Sequence, residues 1–134
     1  MPQRRRGANI VEFALTLPIF MAILLGLIDY GWVFASQSGI DAATMLACRE
    51  GSMVDAIFKS PITEAEEELN ERAAPWCTGG NCTLSVAPRY TVPDRAIECS
   101  VQMPFRPLIG FVPLPATLEA RSIYRLEWQR QGNL

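Results

Sequence analysis

Apolar and polar positions divide the chain into unequal parts. From Phe13 to Ile28 sixteen residues pass without a charge. With Ile10–Val11 and Tyr30–Phe34 the stretch reaches about 25 largely apolar positions, interrupted only by Glu12 and Asp29. A helix rises ~1.5 Å per residue, so about 20 residues cross the ~30 Å hydrocarbon core of a bilayer. The pattern therefore predicts one long helix from about Ala8, long enough to span once. Pro18 lies inside it and predicts a kink or short unwound stretch near residues 14–18. After Gly39 the pattern turns amphipathic. Ile40, Ala43, Ala47, Val54 and Ile57 recur at steps of three and four, so the same helix should continue to about 59 with one face on a globular head.

A second, shorter helix is expected over about 62–73. Thr63 and Glu66 fit a capping box, Ile62, Ala65, Leu69 and Ala73 form its inner face, and Pro75 ends it. Its glutamates read as a solvated face. Beyond it the period changes to two. Strands are expected at 83–92 and 96–105 with a turn at Pro93–Arg95 between them. A Pro- and Gly-rich loop follows at 106–115, then a last half-buried strand at 116–128. The expected fold class is α+β: a long N-terminal helix, partly transmembrane, packed on a small antiparallel sheet. The domain reading is a leader at 1–7, an apolar helix at 8–34 and a globular head at 35–134.

Charge gives the helix a direction. Arg4, Arg5 and Arg6 precede the apolar run and no basic residue follows until Arg49. The positive-inside rule then puts the N-terminus in the cytoplasm and the head across the membrane. With those three arginines set aside, nine basic residues face fourteen acidic ones. That balance speaks against a nucleic-acid surface. The chain has no histidine, which removes Ser–His–Asp and Cys–His catalysis. No phosphate-binding glycine loop or metal-spaced carboxylate cluster is visible, so the protein is read as a non-enzyme without a cofactor.

Four cysteines remain: Cys48, Cys77, Cys82 and Cys99. In the orientation above, the last three lie where disulfides persist. The stretch CTGGNC suits a tight reversal and favours a Cys77–Cys82 bridge over the two other complete pairings. Cys48 and Cys99 would then form a second bridge or stay free and buried. A zinc site is the weak rival, given no histidine and no C-x₂-C spacing.

The N-terminus carries the most specific signal. An arginine cluster, a glycine, and then an apolar helix with an acid five residues after the glycine is a type IV prepilin pattern. Here it reads RRRG followed by ANIVEF, with Gly7 and Glu12. The plausible cut lies before the apolar run, unlike that of an ordinary secretory signal. Glycine at that point suits a peptidase that needs an extended, uncrowded backbone.

Further features extend the likeness: Glu12–Phe13, Leu17–Pro18, the acid–aromatic–Gly triplet Asp29–Tyr30–Gly31, and Arg49–Glu50–Gly51. In this order and spacing residues 6–51 resemble the TadE-like pilins, small pseudopilins of tight-adherence (type IVc) systems. PFRPLIGF and ARSIYRLE resemble the family more loosely. The sister TadF proteins share the layout, and the choice of TadE rests on the acid–aromatic–Gly and Arg–Glu–Gly triplets. Cys48 departs from the small residue expected there.

The resemblance implies cleavage between Gly7 and Ala8 by a membrane-embedded prepilin peptidase, and N-methylation of Ala8. It implies a minor pilin, given the large head, that takes part in assembly or initiation of a pilus. Its partners would be other pilin and pseudopilin subunits, the peptidase, the inner-membrane assembly platform and membrane lipid. Glu12, Phe13, Pro18 and Asp29 become the assembly residues. A carboxylate in hydrocarbon costs ~2.5–3.5 kcal/mol on insertion scales, so Glu12 needs a partner. The α-amino group created at Ala8 is the obvious one. The bland alternative is that Glu12 snorkels to water. Asp29 has two readings, a hydrated acid in the aromatic belt of Tyr30 and Trp32, or a second inter-subunit contact. The competing whole-protein reading is an unprocessed single-span envelope protein with an exported binding or scaffold head.

Overall fold

The computed structural model describes residues 4–55, 57–77, 80–91 and 94–127. Five elements follow in chain order. Helix α1 covers Arg4–Met53 and helix α2 Pro61–Ala73; strands β1 (Thr83–Thr91), β2 (Asp94–Pro104) and β3 (Thr117–Arg125) follow. The class is α+β, as the change of period predicts. Trp128, expected in the last strand, lies outside the described residues, as do residues 1–3.

Helix α1 differs from expectation at three points. It is already helical at Arg4, ahead of the expected start near Ala8, so Gly7 lies in helical rather than extended backbone. Arginine is a good helix former, and one glycine costs the helix only about 1 kcal/mol. The helix is also unbroken through Pro18, so the unwound stretch, one of the two expected effects of the proline, is absent. Proline there removes one ladder bond, the one to the Ala14 carbonyl. Nearby, the Thr16 hydroxyl donates to the Phe13 carbonyl at 3.2 Å. Third, the helix stops at Met53, short of 59. The Asp55 side chain accepts the Ile57 N–H at 3.2 Å, and its carbonyl accepts that of Phe58 at 3.0 Å. This local turn competes with further helix. It leaves Ile57 exposed, out of the stripe predicted for it.

The start of α2 is also shifted. Ser60 is the N-cap, without a side-chain cap bond, and Pro61 opens the helix, so the Thr63–Glu66 capping box is not used. Proline at the first helical position loses nothing, because that N–H would be unpaired anyway. The buried face is Pro61, Ala65, Leu69 and Ala73, with Pro61 in the place predicted for Ile62.

The chain forms two compact units. The first joins the described residues up to Phe34 with Arg106–Leu114, and the second joins Ala35–Phe105 with the described residues from Pro115. The second unit is the head. Its sheet is antiparallel in the order β1-β2-β3. Cys99 stands opposite Val86 on one side and Ser122 on the other, and Val101 opposite Leu84 and Ala120. Pro88 is tolerated because β1 is an edge strand. The residues expected as a turn, Asp94 and Arg95, already belong to β2.

Alternation then sorts the faces. Ile97, Cys99, Val101, Met103, Leu118 and Ala120 are buried, together with Ile40, Ala43 and Ala47 of α1 and Leu69 of α2. Two close approaches depend on missing side chains. A Cβ at Gly39 would overlap the Trp76 indole at Cε2. One at Gly51 would lie 2.6 Å from the Ala65 Cβ and 2.7 Å from the Pro61 carbonyl oxygen. Two disulfides complete the head. Cys48–Cys99 ties α1 to β2 with Cα atoms 5.8 Å apart. Cys77–Cys82 closes a short loop with Cα atoms 5.5 Å apart. In that loop Gly80 has φ +70°, a backbone conformation that glycine takes without steric cost.

Candidate assembly site

The first unit is built on the apolar part of α1. From Ile10 to Phe20 every side chain is exposed, Glu12, Phe13 and Pro18 included. The helix is long and apolar enough to cross a membrane, and almost none of its most apolar stretch is covered. A surface of this kind needs lipid or other helices around it. Glu12 is the one acid in that exposed run. It lies five residues, about 7.5 Å of helix rise, beyond Gly7. Gly7 and Ala8 occupy consecutive positions of the α1 backbone.

Asp29 behaves differently. It is fully buried, so it is not the hydrated acid of one reading. One carboxylate oxygen, Oδ1, accepts the Ile109 N–H at 2.9 Å, and Oδ2 accepts those of Gly110 at 3.0 Å and Phe111 at 3.1 Å. Three successive amides converge on one carboxylate because Gly110 has φ +75°. Such a left-handed residue turns consecutive N–H groups to one side and makes an anion-binding concavity. Charge-assisted bonds of this kind offset the cost of burying the acid. Val112 packs on the helix where Gly26 leaves room, 3.7 Å from where a Cβ would stand.

The sequence placed Asp29 near a membrane boundary and 106–115 in a loop, but it held no sign that the two meet. The turn-forming glycine in PLIGF was the available signal, and nothing in it names a partner 81 residues away.

The outer face of the sheet carries a separate charge cluster. Arg121 Nε donates to Glu98 Oε1 at 2.5 Å, and Arg89 lies 3.5 Å from Oε2. The Arg121 hydrogen bond holds the Glu98 carboxyl below its ordinary range; desolvation opposes this, and the charges of Arg121 and Arg89 assist. At the foot of α2, Lys59 meets Glu64 and Glu67, which push its ammonium above the usual lysine range. These are ion pairs at the surface of the head.

Fold and site together define a class: among the described residues, one apolar helix of membrane-spanning length and a small disulfide-bonded α+β head. Within that class the segment 7–49, about a third of the chain, matches the family model described as TadE-like protein. The matched segment takes in Gly7, Ala8, Glu12 and Asp29. The family is pilus-associated, structural rather than catalytic. Compared with curated proteins and with solved structures, the chain matches none.

Proposed function

We propose that the protein is a minor pilin, or pseudopilin, of a tight-adherence type IVc pilus, cut by a prepilin peptidase after Gly7. The observation that supports this best is the uncovered apolar helix with Glu12 alone on its exposed N-terminal run, inside the TadE-like segment. Cleavage makes Ala8 the new N-terminus, open to methylation, and creates a cation about one turn of helix from Glu12. That amine, on the same or a neighbouring subunit, offsets the cost of an acid in lipid. A buried pair of this kind can fix register at some cost in stability. Phe13, Pro18 and the rest of the apolar surface leave lipid to pack against other pilin and pseudopilin helices on the inner-membrane assembly platform. Asp29 serves assembly by shaping the loop it holds. The head lies across the membrane, where its disulfides persist.

The cleaved bond sits in helical backbone, so the peptidase must first unwind one turn. Glycine lowers the cost of doing so. Intact-mass measurement on protein extracted from membranes tests the proposal. Loss of residues 1–7, with or without the mass of a methyl group, supports it. A mature chain starting at Met1 or Pro2 overturns it in favour of an unprocessed single-span protein with an exported binding or scaffold head.

A further inference from the structure

The Asp29 cradle holds a loop whose surface is as apolar as that of the helix. Leu108 is 61 % exposed, Ile109 46 % and Phe111 56 %. A soluble head has no reason to show three large apolar side chains within four residues. The loop and the apolar helix belong to the same compact unit.

Position along the helix gives the depth. Asp29 lies about 28 Å of helix rise beyond Ile10, close to the ~30 Å of a hydrocarbon core. Apolar residues continue past it to Phe34. A span that begins near Ile10 therefore sets the cradle at the far lipid boundary, not out in water.

Backbone chemistry supports the same placement. A loop at lipid depth must have its N–H groups paired, because no water is there to take them. Pro107 and Pro113 have no N–H to satisfy. Three of the remaining amides, those of Ile109, Gly110 and Phe111, end on the Asp29 carboxylate. Acid and loop each remove the polar burden of the other. Arg106, exposed at the entrance to the loop, provides a cation at the level of the lipid phosphates.

We propose that Arg106–Leu114 is a lipid-docking loop, which sinks Leu108, Ile109 and Phe111 into the far leaflet and gives the subunit a second hold on the membrane. The occupant is a phospholipid bilayer. The proposal rests on the reading that α1 crosses the membrane.

The test uses the full chain in vesicles of phosphatidylethanolamine and phosphatidylglycerol, with a benzophenone side chain placed in turn at positions 111, 19 and 58. Position 19 reports the span. Position 58, where Phe58 is 87 % exposed in the head unit, reports water. After illumination, phospholipid adducts are measured by mass. The expected adduct yield at 111 is close to that at 19 and about tenfold above that at 58, as for side chains seated below the headgroups. Adduct at 19 but none at 111 overturns the docking loop and leaves the span standing. No adduct at 19 overturns both. Cross-linking of 111 to a second polypeptide in place of lipid also overturns the proposal, because the face then belongs to a protein partner. Asp29→Ala should lower the yield at 111 to the level of 58 and leave 19 unchanged; an unchanged yield at 111 would overturn the part given to Asp29.

Discussion

Trp76 fills the space that Gly39 leaves by having no side chain: a Cβ on Gly39 would overlap the ring carbon Cε2. Gly39→Leu therefore expels the indole. Overpacking of this kind costs about 1–3 kcal/mol, partly offset by the ~1 kcal/mol that removing a helical glycine returns. Denaturant titration of the full chain in mild detergent should show a lower midpoint, with increased exposure of tryptophan to an aqueous quencher.

Gly51 has less room to give. Its neighbours there are the Pro61 carbonyl and the Ala65 Cβ, neither of which is the end of a flexible chain. Even Gly51→Ala should destabilise the head by about 1–3 kcal/mol, while Gly31→Ala, which meets nothing within 4 Å, should not. Thermal melts of the two variants side by side check the contrast.

The two disulfides should be unequal. A cross-link stabilises chiefly by limiting the unfolded chain, and more so for longer loops. Cys48–Cys99 closes a separation of 51 residues, and Cys77–Cys82 one of 5. On the chain-entropy relation the first contributes about 4 kcal/mol and the second about 2 kcal/mol. Replacing each pair by alanine and comparing denaturant midpoints tests the ranking; a Cys77–Cys82 pair that matters more would reverse it.

Acid should weaken the head through Glu98. Its folded-state carboxyl titrates lower than an ordinary glutamate, held down first by the Arg121 hydrogen bond. Stability from the pair is thus fully present above the unfolded value, about pH 4.3, and fades as pH falls through the lower folded value. Glu98→Gln should therefore lose less melting temperature between pH 6 and pH 3 than the native chain does. A native acid-side loss that Glu98→Gln reproduces in full would remove this assignment.

Glu12→Gln should leave the fold of the head intact and impair assembly. On the proposed cleavage after Gly7, the amide would not pair with the new Ala8 amine as a carboxylate would. Pulldown of partner pilins from membranes of both strains reads this out, with equal head melting temperatures as the control.

Periodic segments were legible in the sequence because burial acts on them locally. The stripe through Ile40, Ala43 and Ala47, and the alternation of Leu118 and Ala120, are buried as the pattern required. Ends were harder to read. The Asp55 turn and the proline start of α2 decide them by one or two hydrogen bonds, which periodicity does not encode. The close approaches at Gly39 and Gly51 were invisible for another reason: each depends on a residue distant in sequence. The same holds for Asp29. Its chemistry as an acid in an apolar run was plain, whereas its partners are backbone amides, which every residue but proline has and no motif spells out.

The Cys48–Cys99 bond also decides where mechanical load goes. Tension that enters on the N-terminal side of Cys48 and leaves on the C-terminal side of Cys99 crosses directly from sulfur to sulfur. Residues 49–98, with α2 and β1 among them, form a slack branch off that path. A chain pulled by its N-terminal helix can therefore be strained hard without unravelling the middle of its head.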